Sequence, residues 1–108
     1  MSEHGRLGPI EWAAEARPRP GERVCGDHQI AVPVDGVGAL VGVLDGLGHG
    51  EDAAKAAVCG VEVLQCARSE PLEVLFQLCH RALAGTRGVA MTLARIDFAA
   101  DKLRWIGI

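Results

Sequence analysis

The first feature of chemical interest is an aspartate followed by a run of glycines. Asp45 comes directly after the apolar segment 39–44, and the stretch "DGLGHG" places glycines at 46, 48 and 50. A carboxylate at the end of a buried strand costs solvation free energy unless it meets a cation or several hydrogen-bond donors. Glycine permits unusual backbone conformations and close approach of a ligand to the main chain. The segment therefore predicts a ligand site at a strand end.

A second carboxylate is expected beside the first. Asp27 begins the predicted strand 27–34, and "DGVG" at 35–38 is a turn signal that predicts a hairpin with the strand 39–44. The hairpin brings Asp27 and Asp45 to the same end of the sheet, where two carboxylates repel each other at neutral pH. A divalent metal ion removes this repulsion, and oxygen ligands suit Mg²⁺ or Mn²⁺. Both residues are therefore candidate metal ligands.

Two other interpretations of the glycine run stay open. An Asp-Gly pair after a strand is often only a turn. A glycine turn between a strand and a helix can also cradle a phosphate on helix N–H groups. The dinucleotide fingerprint GxGxxG, however, needs a glycine where this chain has Glu51, and Lys55 comes too late for a P-loop. Cys25 is either a thiol nucleophile or a loop filler, and His49 either contacts a ligand or lies in a surface turn.

Seven elements are predicted to position these residues, in the order β-β-β-α-α-β-β. Strands are expected at 10–16, 27–34, 39–44, 88–98 and 102–108, and helices at 51–67 and 71–84. The apolar stripe of the first helix is expected at 54, 57, 58, 61 and 64. Paired strands around a block of two helices are typical of the α+β class. Residues 1–9 are expected to form a flexible tail that precedes a domain at 10–108.

The composition argues against several classes of function. The net charge is −3 and the isoelectric point about 5.7, which disfavours a nucleic-acid partner held by phosphate attraction. No apolar run reaches the roughly 18 residues of a membrane span. The polar start "MSEHGRLGP" is not a secretory signal. The four cysteines form no CxxC pair, as expected of a reduced, cytoplasmic protein.

Three short motifs resemble those of a known enzyme family. They are "CGD" at 25–27, "LDGLGHG" at 44–50 opening an alanine-rich helix, and "RG" at 87–88 leading a strand with Thr92. Together they resemble the PPM-type (protein phosphatase 2C-like) metal-dependent phosphatases, most closely the RsbX-like and SpoIIE-type bacterial serine phosphatases. The resemblance covers about residues 10–108. It implies an α-β-β-α sandwich, of which this chain is the N-terminal portion, with two Mn²⁺ or Mg²⁺ ions between the sheets.

The resemblance also implies roles for individual residues. Asp45 is expected to bridge both metal ions, Gly46 to offer its backbone carbonyl to one of them, and Asp27 to join the metal shell. Arg23 is the phosphate-binding candidate among the arginines at 17, 19 and 23. The implied reaction is in-line attack of activated water on a phosphoserine or phosphothreonine. The implied substrate is a phosphorylated stressosome or anti-anti-sigma-like antagonist in stress-response partner switching.

The chain departs from the family pattern at three points. The arginines at 17, 19 and 23 do not match cleanly the phosphate-binding arginine that many members place shortly before the first acid, so a solvated loop charge stays open for them. Leu47 stands where many members carry a histidine as candidate general acid. The later acids of the family come on segments beyond residue 108, and Asp97 and Asp101 lie too early to replace them. We therefore expect a half-built site without turnover by itself, and an exposed sheet edge that promotes self-association. A non-catalytic module of the same fold that binds a phosphoprotein stays open as the alternative.

Overall fold

The structure, a computed structural model, describes residues 2–18, 20–48 and 50–108. Eight elements follow one another in the order β-β-β-β-α-α-β-β, which confirms the α+β class with one strand more than predicted. No helix within these described ranges is long and apolar enough to cross a membrane. The elements are β1 (Ser2–Leu7), β2 (Ile10–Glu15), β3 (Asp27–Val34), β4 (Gly38–Gly46), α1 (Gly50–Cys66), α2 (Leu72–Ala82), β5 (Val89–Asp97) and β6 (Lys102–Gly107).

A four-stranded antiparallel sheet with the order β3-β4-β5-β6 forms the centre of the fold. The turn between β3 and β4 contains Asp35 and Gly36, whose φ values are 52° and 72°. Two successive positive φ values are the requirement of a type I′ turn, which Asp-Gly satisfies well. The hairpin predicted from "DGVG" is therefore present. Its register is fixed so that Asp27 lies opposite Asp45.

Both helices pack against one face of this sheet and enclose the hydrophobic core. The face of α1 that is buried differs from the predicted stripe, because small residues rather than valines meet the sheet. A Cβ built on Gly60 would lie only 2.6 Å from Leu44 Cδ2, so α1 crosses β4 at close range. The buried residues of α1 are Ala53, Ala56, Ala57, Gly60 and Leu64. The largest fully buried side chains of the core are Leu40, Leu44, Leu64, Leu75, Leu93 and Cys79.

The N-terminal segment that was predicted to be a flexible tail contains β1, which pairs antiparallel with β2. The turn between them holds Gly8 at a positive φ of 56° against the ring of Phe98, since a Cβ on Gly8 would lie 2.6 Å from Phe98 Cε2. β2 borders the sheet face opposite the helices. That face stays largely open: Val43, Leu103 and Trp105 are 60%, 59% and 69% exposed.

The thiol of Cys79 is a titratable group buried between the two helices. Its Sγ faces the carbonyl of Gly60 at 3.9 Å. Burial, with a smaller contribution from Cys59, raises the pKa of this thiol from 9.0 to about 11. A raised pKa in the folded state means that folding stability is fully present below about pH 9 and declines as the pH rises to about 11.

We therefore expect alkaline destabilisation that depends on Cys79. At about 1.36 kcal/mol per pKa unit, the loss amounts to at most about 2.7 kcal/mol. Urea unfolding between neutral pH and pH 11 measures it. In Cys79→Ala the decline becomes shallower, whereas Cys66→Ala, which removes an exposed thiol, keeps the full decline. Equal pH profiles for both variants would contradict the assignment to Cys79.

Candidate metal centre and active site

The two candidate metal ligands lie side by side at one end of the main sheet. Asp27, the first residue of β3, is the register partner of Asp45 near the end of β4. Directly opposite residues of an antiparallel pair point to the same face, with Cβ atoms about 4.5–5.5 Å apart. Both aspartates are exposed. The structure thus brings together the two carboxylates that the sequence predicted as metal ligands.

The glycine run forms the loop that connects β4 to α1 beside these carboxylates. The N–H of Leu47 donates to the carbonyl of Gly88 at 2.9 Å, which ties the loop to the start of β5. Gly48 and Gly50 have φ values of 93° and 69°. A residue with a Cβ is strained in this left-handed region. Glycine is therefore required at positions 48 and 50 by the left-handed backbone conformation of the loop.

Glycine is required at position 46 by close packing and not by an unusual backbone conformation. A Cβ at this position would lie 2.0 Å from the carbonyl oxygen of Ala53, in the first turn of α1. The N–H of Gly46 donates to the carbonyl of Gly26 at 2.8 Å, which joins the end of β4 to the chain just before β3. The first turn of α1 therefore lies directly against the strand end that carries Asp45. The role of the Gly46 carbonyl as a metal ligand stays a prediction.

The two aspartates line a narrow cleft of about 70 Å³ between the loop before β3 and the glycine loop. Glu22 also lines it, and its Oε2 would lie 3.7 Å from a Cβ built on Gly50. Sequence reasoning missed Glu22, because a glutamate in a loop rich in proline and glycine carries no positional signal. Within the described ranges, no group of three or more His, Cys, Asp or Glu side chains is arranged to hold a metal ion.

The donor set of the cleft fits a hard divalent cation in type, although it is small. Mg²⁺ commonly keeps several waters and binds proteins through one or two carboxylates together with substrate phosphates. Asp27 and Asp45 supply two carboxylates on one face. Carboxylate oxygens on neighbouring strands are ligands that one hard divalent cation can share. The described residues therefore suit Mg²⁺ or Mn²⁺ better than a soft metal that needs thiolates.

Arg17, not Arg23, is the arginine that reaches the cleft of the aspartates. Arg17 lines the cleft, whereas Arg23 is exposed and is not among the lining residues. Arg17 Nη2 donates to Glu15 Oε1 at 2.8 Å, which holds the guanidinium near the end of β2. Arg19, the third candidate, lies outside the described residues. Arg17 is therefore a second phosphate-binding candidate, and the role predicted for Arg23 stays a prediction.

The remaining candidate residues either make local hydrogen bonds or lie outside the described residues. The Sγ of Cys25 accepts a hydrogen bond from the N–H of Asp27 at 3.4 Å, which agrees with the interpretation of this cysteine as a loop filler. His49 lies outside the described residues. Asp97 lies at the opposite end of β5 from the glycine loop and accepts two backbone N–H bonds within its own turn. As expected, Asp97 does not reach the site.

Arg87 is a residue near the site to which the sequence assigned no role. A Cβ built on Gly48 would lie 3.3 Å from Arg87 Cδ and 3.6 Å from Arg87 Nη1, so this side chain lies along the glycine loop. The sequence analysis used the "RG" pair at 87–88 only as one of the three motifs that resemble the phosphatase family. Because the contact joins residues on two separate loops, local pattern could not reveal it.

The chain is similar in sequence to a characterised phosphatase. The phosphoserine phosphatase RsbX of Bacillus subtilis (strain 168) is 26% identical over 90 residues, which is 83% of this chain and 45% of that protein. No family model matches the chain.

Two solved structures share the fold. One is a crystal structure of RsbX in complex with magnesium, which matches all of this chain and 54% of its own length with a TM-score of 0.90 at 21% identity. The other comes from work on the bacterial stressosome, described as a modular system adapted to control secondary messenger signaling. It is 40% identical, covers 77% of this chain and 43% of its own, and has a TM-score of 0.73.

The chain thus spans about half the length of the relatives that it matches. The sequence similarity to RsbX covers 83% of this chain. The similarity in fold covers the whole chain, including the paired aspartates and the glycine loop. The resemblance to the RsbX-like phosphatases of the PPM type is therefore confirmed in sequence and in fold.

Proposed function

We propose that this chain forms part of a metal-dependent phosphoserine/phosphothreonine phosphatase domain of the RsbX type. The observation that carries the proposal is the direct pairing of Asp27 with Asp45 beside the glycine loop. Two carboxylates held on one face at the end of a sheet are oxygen ligands that a single Mg²⁺ or Mn²⁺ ion can share. The similarity to a phosphoserine phosphatase supports a phosphoester as the substrate.

In this proposal Asp27, Asp45 and the Gly46 carbonyl hold the divalent ions, either Mg²⁺ or Mn²⁺. When bound, such ions activate water and neutralise charge on the leaving oxygen. The chain itself fixes the two carboxylates through the β3–β4 register. The aspartates also line a wider cleft of about 410 Å³ between β2 and the sheet, a size suited to a phosphorylated side chain and its neighbours.

The proposed substrate is a phosphorylated protein of a stress-response partner switch. RsbX is a phosphoserine phosphatase, and a stressosome structure is 40% identical over 77% of this chain. Both similarities support a phosphoprotein related to the stressosome, and within that class we propose a stressosome protein or an anti-anti-sigma-like antagonist. We propose the cytoplasm as the compartment, because the four free cysteines suit a reducing environment.

The test is phosphate release from a phosphoserine peptide by the full-length product of the gene. We expect release that requires Mg²⁺ or Mn²⁺ and stops on addition of EDTA. Residues 1–108 assayed alone are expected to release none, because two carboxylates provide a small ligand set. Release by the full-length product that persists in EDTA would contradict the proposed chemistry.

A non-catalytic module that binds phosphoproteins is the second candidate function. It is favoured by the lack, within the described ranges, of any cluster of three or more metal-ligating side chains. Such a module binds its phosphoprotein equally well with and without divalent metal. Titration with Mn²⁺ therefore separates the two candidate functions, because only a phosphatase site has to bind the ion.

Self-association through an exposed sheet edge is a further expectation. β3 and β6 each pair with only one neighbour in the main sheet, and unpaired edges are templates for strand addition. Trp105 on β6 is also largely exposed on the open face. We expect the elution volume in size-exclusion chromatography to decrease with rising protein concentration, and less so for Trp105→Glu. A monomer at every concentration would contradict this expectation.

A further inference from the structure

A cleft of about 650 Å³ lies between the C-terminal half of α2 and the start of β5. It is distinct from the two clefts that the aspartates line. Its apolar lining includes Phe76, Leu83 and Val89. Its polar lining includes His80, Arg81, Thr86 and Arg87. Apart from the buried Cys79 thiol, each titratable side chain in this lining is an arginine or a histidine. The protein as a whole carries a net charge of −3, so the cleft is a local basic surface on an acidic molecule.

Among the described residues, the arginines of this cleft differ from three arginines elsewhere that form ion pairs. Arg6, Arg17 and Arg104 each form an ion pair with a glutamate. Within the described residues, no carboxylate forms an ion pair with Arg81 or Arg87, and both are exposed. His80 and Arg81 lie in the last turn of α2, where cations interact favourably with the helix dipole. That interaction explains neither Arg87 nor the apolar residues between the charges.

The basic cleft is adjacent to the glycine loop of the candidate metal centre. Val89 in its lining is the register partner of Gly46. The Gly88 carbonyl, also in the lining, accepts the N–H of Leu47 at 2.9 Å. Arg87 extends along Gly48 from the other side. The basic cleft and the candidate metal centre therefore border the same glycine loop, which follows Asp45.

We propose that this basic cleft binds an acidic segment of the phosphoprotein substrate, next to its phosphorylated residue. Carboxylates of the segment pair with Arg81 and Arg87, and an apolar side chain packs against Phe76 and Leu83. Charge complementarity of this kind governs specificity and the rate of association. The inference rests on the proposed function, because it names the surface that recognises the protein around the scissile phosphate.

The test is fluorescence anisotropy with labelled phosphoserine peptides, in EDTA so that no hydrolysis occurs. One peptide carries glutamates and a leucine beside the phosphoserine, and a matched peptide carries lysines in place of the glutamates. We expect the wild-type chain to prefer the acidic peptide. Arg81→Gln and Arg87→Gln, measured separately, each weaken its binding by about tenfold, the scale of one hydrogen bond to a charged group. Arg104→Gln, an exposed arginine paired with Glu73, is the matched control and leaves the affinity unchanged.

The outcomes separate this inference from the proposed function. Equal affinity of the two peptides, or unchanged binding by both arginine variants, overturns the basic cleft while metal-dependent phosphate release by the full-length product still stands. Acidic-peptide binding that depends on both arginines, without any phosphate release, supports the cleft and removes the phosphatase. Because Arg87 also contacts the glycine loop, Arg81→Gln tests the cleft without altering that contact. Equal melting temperatures of the variants establish that each one folds.

Discussion

Gly46→Ala is expected to destabilise the protein by about 3 kcal/mol or more, at the upper end of the range for overpacking. The added Cβ would lie 2.0 Å from the carbonyl oxygen of Ala53 and 2.6 Å from its carbonyl carbon. These are backbone atoms in the first turn of α1, so no side-chain rotation relieves the clash. Either β4 or the start of α1 has to move. A movement of either one also displaces Asp45, the neighbour of Gly46.

Thermal and urea unfolding measure this effect. A loss of 3 kcal/mol corresponds to a decrease in melting temperature of more than about 10 °C for a domain of this size. Gly21→Ala is the matched control: Gly21 has a positive φ of 86°, but nothing lies within 4 Å of its Cβ position. That variant reports the conformational strain alone, about 1–2 kcal/mol. If Gly46→Ala costs no more than Gly21→Ala, the close contact between β4 and α1 is wrong.

The β3–β4 hairpin and its paired aspartates could be predicted from sequence because local chemistry determines them. Asp35 and Gly36 fit the positive φ values of a tight turn, and the pairing of Val34 with Gly38 across the three-residue connection 35–37 fixes the register of the strands. Once the register is fixed, the partner of Asp27 follows by counting. The adjacency of Asp27 and Asp45 is therefore a consequence of one short turn.

Other features depend on contacts between distant segments and could not be predicted. The first strand consists mostly of exposed residues, and Gly8 in its turn is held against Phe98, which lies 90 positions away in the chain. The helix face was misjudged because hydrophobicity ranks Val58 above Gly60. In the structure, Val58 is 40% exposed and Gly60 is buried against Leu44. Close packing selects the smallest residue, and the sequence alone does not reveal where two backbones approach each other.

Asp45→Asn is expected to abolish the response of the protein to divalent metal. In wild type, Mg²⁺ or Mn²⁺ at about ten times its dissociation constant stabilises the fold by about 1.4 kcal/mol. The amide is nearly isosteric with the carboxylate but carries no charge, so the variant loses one of the two carboxylates proposed to hold the ion. Without metal, the same substitution exchanges one exposed side chain for another of nearly the same shape. The metal-free variant is therefore expected to be about as stable as metal-free wild type, within roughly 0.5 kcal/mol.

Loss of the metal response without loss of metal-free stability makes the prediction specific, because a variant that merely misfolds loses stability under both conditions. Melting temperatures in EDTA and across a metal titration measure both effects, and Asp27→Asn is expected to behave in the same way. Asp101→Asn is the matched control: Asp101 is exposed in the distant β5–β6 turn at a φ of 54°, a conformation that asparagine tolerates.

In the full-length product, Asp45→Asn is expected to reduce phosphate release by more than about a hundredfold, since loss of outer-shell partners alone can reach that scale. Metal stabilisation of Asp45→Asn equal to that of wild type would show that the paired carboxylates hold no ion, and the phosphatase proposal would then lose the observation that carries it.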